Sequence, residues 1–225
     1  MDSDHLGSSR AGWIHTLGAI GAILLPLALL YSYFTSDDSG DTSAELIAYA
    51  KDSSTDLWLA QIVALLVPLL IGCFVASLWV RLRPASEAYR ALTVVGGTLF
   101  IAFTSTGLTL WSAPLLSSDE LTPAGADAYL TFDDAGWILL GLGGVSIGVM
   151  IIGVSLAALE RGWVPKWAGW VSLALGVGSL ATIVGFGLLA WAIWLLAAGC
   201  FLLFGRDPQE SAPVPSRTTS AGYES

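Results

Sequence analysis

The sequence is short of charge, and the little it has avoids the long apolar runs. Charged side chains make up 12% of the 225 residues against 55% hydrophobic ones, a balance outside the range of soluble globular domains. The nine lysines and arginines form neither a basic patch nor a stripe interleaved with aromatics, so nucleic acid is excluded as a partner. Two cysteines, Cys73 and Cys200, both lie inside apolar runs without CxxC spacing. They give no disulfide framework and no thiolate metal site, and they are read as small apolar packing residues. Two histidines, His5 and His15, cannot build a bis-imidazole haem site or a histidine-rich metal centre, and no cofactor is expected. The centres of the apolar runs carry no ionisable residue, which is where intramembrane chemistry usually places one. The nearest approach to an intramembrane serine motif, Gly144-Val145-Ser146-Ile147, lacks the closing glycine and has only His15 as a candidate base. The chain is therefore expected not to be an enzyme, and an ion-coupled carrier is disfavoured. No internal repeat is visible.

What the sequence does have is apolar length. From Trp167 to Gly205 there are 39 residues without a charged side chain, about 58 Å as straight helix. A hydrocarbon core of about 30 Å requires that block to cross twice, with its break at Gly185-Phe186-Gly187. Four further runs precede it. The expected architecture is all-α: a polytopic membrane helix bundle of six transmembrane helices occupying 13–205, with spans at about 13–34, 57–80, 91–112, 136–159, 165–184 and 187–204. Polar tails are expected at 1–12 and 206–225, both disordered by composition. The first span ends Tyr31-Ser32-Tyr33-Phe34, without the small-x-small site of a cleaved signal peptide, and is expected to be retained.

The connections between spans carry their own local signals. Thr42-Ser43-Ala44-Glu45 has the spacing of a capping box and opens a short helix in the first acidic loop. Thr122-Pro123 has a hydroxyl at the cap and proline at the first helical position, which predicts a second short surface helix through about Leu130. The acidic run from Asp37 does not meet the calcium-loop pattern, since Thr42 and Ala48 stand where glycine and glutamate are needed. Within the spans, Gly144 and Gly148 have the small-xxx-small spacing that lets membrane helices approach closely. Two features were singled out as candidate sites. Thr104, Ser105, Thr106 and Thr109 form the one dense polar patch at membrane depth, where hydroxyls serve helix packing or a solute path. Pro26 and Pro68 form a kink pair, at similar depth in neighbouring antiparallel helices, which packing or an outward cavity would accommodate.

Sorting basic residues by alternating loops puts Arg10, Arg81, Arg83, Arg90, Arg161, Lys166, Arg206 and Arg217 on one side and Lys51 alone on the other. That bias predicts cytoplasmic termini and outward acidic loops, in the cell membrane. Trp13, Trp79, Trp163 and Trp167 at inner ends, and Trp58, Trp111 and Trp137 at outer ends, have the placement of interfacial anchors.

The run Arg161-Gly162-Trp163-Val164-Pro165-Lys166-Trp167-Ala168-Gly169-Trp170, followed by Gly176, Trp191-Ala192-Ile193-Trp194-Leu195-Leu196 and Gly199, resembles a family of uncharacterised bacterial six-span integral membrane proteins, a domain of unknown function. In that family a proline-lysine or proline-arginine turn with a Trp-x-Gly-Trp continuation opens the fifth helix, and a tryptophan-rich sixth helix closes the domain. Val164 stands where leucine is commoner, and Ala168 where leucine or isoleucine is usual. The resemblance implies the six-span fold and carries over no activity, substrate or catalytic residue. The function read from the sequence is that of a non-enzymatic interaction or accessory component of the membrane. Its partners are the lipid bilayer and other membrane proteins or further copies of itself. The alternative is a carrier or binding protein for a small neutral or apolar molecule.

Overall fold

The computed structural model describes residues 5–35, 42–52, 54–112, 122–184 and 187–204, and every regular element among them is helical. Helix α1, His5–Thr35, reaches back past Trp13 into the segment read as an amino-terminal tail; once the apolar run has nucleated a helix, each further residue is added cheaply. The tail read over 206–225 lies outside the described residues.

Helix α2, Ser43–Asp52, begins at the capping box. The Thr42 amide and hydroxyl both donate to the Glu45 carboxylate, at 3.1 and 2.8 Å, and the Glu45 amide donates back to the Thr42 hydroxyl at 3.4 Å. Helix α3, Ser54–Arg81, and helix α4, Glu87–Ser112, follow. Between them Leu82 and Ala85 are buried, which pins the turn to the bundle and leaves Arg83 and Pro84 exposed.

Helix α5 corrects the expectation of a separate second surface helix. It runs unbroken from Pro123 to Arg161, 39 residues, about 58 Å and so nearly twice a hydrocarbon core. Its start is where the motif placed it, with the Thr122 side chain accepting from the Gly125 amide at 3.2 Å. No proline follows Pro123 before Gly136, and Ala126 and Tyr129 are buried in a packed cluster. Nothing therefore ends the helix where a loop was expected. It does end at Gly162, whose φ of 67° is the left-handed conformation that favours glycine. Helix α6, Lys166–Ser179, continues as a 3₁₀ turn over Leu180–Val184, and helix α7 is Gly187–Phe204; Gly185 and Phe186 of the expected hairpin break lie outside the described residues.

Among the described residues three helices are long and apolar enough to cross a membrane, over Leu57–Arg81, Glu87–Ser112 and Pro123–Arg161, while Trp13–Ala28 and Leu189–Phe204 are shorter apolar helices. The outer faces are those of a membrane protein: Leu65 is 68% exposed, Ile138 64% and Trp167 72%, which water would not tolerate over so wide an area.

The long helices pack in sequence order, α1 on α3, α3 on α4, and so on to α7, which closes the ring against α1. Phe74, Phe100, Ile147, Met150, Ile151, Trp191, Trp194 and Leu195 are all buried in its core. Phe74 meets Trp194 edge-on with centroids 6.2 Å apart, and Phe100 meets Trp191 at 5.8 Å. Such contacts matter because in lipid the association of helices depends on packing rather than on release of water. The closest seam joins α4 and α5. A methyl added at Gly96 would lie 2.7 Å from the Ser146 carbonyl, one at Gly143 2.6 Å from the Thr104 hydroxyl, and one at Gly153 2.8 Å from the Tyr89 carbonyl. Gly144 and Gly148 face the other way, toward Thr182 and toward Gly176 and Ser179, so their small-residue spacing serves α6 and its 3₁₀ turn.

Candidate functional site

The helical period of α4 scatters the polar patch. Thr104 is buried against Gly143 of α5, Ser105 is half-buried, and Thr106 and Thr109 are exposed on the outer face. The four residues line no common path. Pro26 is buried in α1 whereas Pro68 is exposed on α3, so the two kink positions meet different surroundings.

The buried hydroxyls have a uniform arrangement. Seven serines and threonines are buried among the described residues. Six of them, Ser77, Thr93, Ser112, Ser146, Ser155 and Ser179, donate to the carbonyl four residues earlier, at 2.7 to 2.9 Å. The proton of each is thereby committed within its own helix. Ser155 extends this into a relay between helices: the Trp194 indole N–H donates to Ser172 Oγ at 2.6 Å, and Ser172 lies 2.6 Å from Ser155 Oγ. Since the Ser155 proton is spent on the Ile151 carbonyl, Ser172 is the donor in that contact. One uninterrupted chain of donors thus joins α7, α6 and α5.

The densest titratable site lies where α2 and the first turns of α5 fold over the ends of α3 and α4. Leu46 and Tyr49 of α2, Leu57 of α3, and Ala126 and Tyr129 of α5 form a second buried cluster, with Ile47, Trp111 and Leu130 packed on it. The Tyr129 hydroxyl donates to the Trp111 carbonyl, and Asp133 Oδ1 lies 3.5 Å from the same hydroxyl oxygen. The last carbonyls of α4 have no partner in their own helix, and Tyr129 supplies one. Burial is the main cause that pushes the Tyr129 phenol up, with Asp133 and Tyr49 adding to it. Burial likewise raises the Asp133 carboxyl, reinforced by the charge of Asp134 and opposed by the Tyr129 hydrogen bond. Both residues precede Gly136, outside the apolar stretch of α5. Beside them the Ser112 hydroxyl, already donating to Leu108, lies 2.9 Å from the Gln61 amide oxygen. A turned amide would let Gln61 donate instead.

Sequence reasoning missed Gln61, Ser112, Tyr129, Asp133 and the Trp194 relay. Gln61 alone carried a signal, as an isolated amide inside an apolar run. At the opposite end Glu160 of α5 accepts from the Ser86 amide at 3.1 Å, capping α4, and the Arg90 guanidinium lies over the Trp79 ring, 3.9 Å from its centroid. Cys73 and Cys200 are free, and among the described residues no group of three or more His, Cys, Asp and Glu side chains is placed to hold a metal ion. Compared with protein-family models, curated proteins and solved structures, the chain matches none.

Proposed function

We propose that this chain is a six-span integral protein of the cell membrane, with both termini cytoplasmic, that serves as a non-enzymatic interaction or accessory component. The observation that carries this reading is the commitment of the buried hydroxyls: most are spent on a carbonyl of their own helix, and Ser155 and Ser172 join helices through Trp194, rather than being held ready for a solute. Six crossings follow if α1 and α7 each span and if α6 does so together with its 3₁₀ turn, which add about 21 and 10 Å. In that topology the α2–α5 cap stands outside the cell, where a partner would meet it. The resemblance of the Arg161–Trp170 turn to the six-span family supports the same architecture. Stoichiometric recovery of a membrane partner, or of a homo-oligomer, after purification in mild detergent is the expected result. Solute uptake by proteoliposomes holding only this protein would defeat the reading. The topology has its own test in a reporter fused after Arg206, which should report the cytoplasmic side.

The alternative, a carrier or binding protein for a small neutral or apolar molecule, draws on a different observation. The Trp191 indole N–H and the Ser105 hydroxyl are buried without a hydrogen-bond partner among the described residues, so a bound acceptor would find donors there. Thr104→Val with Thr109→Val separates the readings. Folding and phenotype should survive if those hydroxyls only pack, and transport should fall if either one meets the solute.

A further inference from the structure

We infer that the turn between α3 and α4 is a binding site for an anionic phospholipid, with Arg90 and Trp79 clamping the phosphate and a notch on α3 receiving an acyl chain. The guanidinium comes first. Arg90 crosses from α4 to stack on Trp79 of α3, and its Nε is buried with no hydrogen-bond partner. Among the described residues it makes no ion pair. The ring holds the guanidinium in place without pairing its charge, which leaves it suited to the oxygens of a phosphate. Arg83, exposed in the same turn, adds a second positive charge at the same end.

The ligand's other half is read from α3. Leu69, Ala76 and Trp79 are exposed, and a methyl added at Gly72 would meet nothing within 4 Å. These positions recur every three or four residues and so share one face. Small side chains at 72 and 76 between Leu69 and Trp79 cut a shallow notch that runs from the clamp toward the bilayer centre for about 15 Å at ~1.5 Å per residue. A free phosphate would use the clamp and ignore the notch. A phospholipid would use both, as basic sites between helix ends do for anionic headgroups.

The site rests on the membrane reading, so its test begins by separating the two. Alkaline carbonate should leave the protein in the membrane fraction, and release would defeat the membrane reading itself. The full chain is then purified from an equimolar mixture of phosphatidylglycerol and phosphatidylcholine, and the retained lipid is counted by native mass spectrometry. Phosphatidylglycerol should be enriched. Arg90→Ala should lower that enrichment roughly fivefold or more, with Arg90→Lys intermediate because it keeps the charge and loses the fork. Gly72→Leu, which fills the notch without touching the protein, should lower it while leaving the helix content and elution volume unchanged. Equal retention of the two lipids by a carbonate-resistant protein would overturn the proposal. So would displacement of phosphatidylglycerol by inorganic phosphate together with indifference to Gly72→Leu, which would identify a free-anion site.

Discussion

A hydroxyl has one proton to give, and at two places in this bundle that limit decides how neighbouring groups behave. Tyr129 has one proton for two acceptors, the Trp111 carbonyl and the Asp133 oxygen 3.5 Å away, so it offers the ionised carboxylate only a weak bond. Burial, reinforced by Asp134, outweighs that bond and raises the Asp133 carboxyl. The folded protein then keeps the Asp133 proton over a pH range in which the unfolded chain has released it. More protons are bound in the folded state, and stability falls as pH climbs through that range. Thermal unfolding in detergent should show the cap weakening from acidic toward neutral pH, and Asp133→Asn should flatten the dependence. The second place is the relay. Trp194→Phe removes its first donor and leaves Ser172 Oγ without one, at a cost of about 0.6 to 1.7 kcal/mol by the measured range for hydrogen bonds between membrane helices. Unfolding in mixed micelles would measure it, and a Trp194→Phe variant as stable as the parent would show the relay to be incidental.

At the scale of elements, local rules were legible and long-range ones were not. The Thr42–Glu45 capping box and the Thr122-Pro123 start each involve residues within one turn, and both form as written. Thr122→Ala should therefore cost about 1 kcal/mol, seen as fraying of the first turn of α5 in hydrogen exchange. The continuity of α5 was missed because acidity at Asp133 and Asp134 reads as loop, although charge does not stop a helix and only backbone chemistry does. The candidate patch is scattered in space for a related reason. Adjacent positions in sequence stand 100° apart around a helix, so density along the chain is not density in space. The polar contacts that do form, Gln61 with Ser112 and Ser155 with Ser172 and Trp194, join different helices and carry no spacing that a single sequence reveals. The α4–α5 seam is the sharpest test of packing at this scale. Gly96→Leu places a side chain where Ser146 and Met150 backbone already stands, and should cost at least the 1–3 kcal/mol typical of overpacking, whereas Gly72→Leu on the open face should cost nothing measurable.

For the whole molecule, the ring and the cap are two packed bodies with separate cores that share α3, α4 and α5. Hydrogen exchange should show α2 opening ahead of the ring, since among the described residues it packs chiefly on α5 and less on α3 and its exposed face carries Glu45, Lys51 and Asp52. Because α5 is a single rod about 58 Å long built into both the ring and the cap, no joint separates the two bodies along it. If the ring spans a bilayer as proposed, a membrane that tilts the bundle to match its thickness tilts the cap residues of α5 with it.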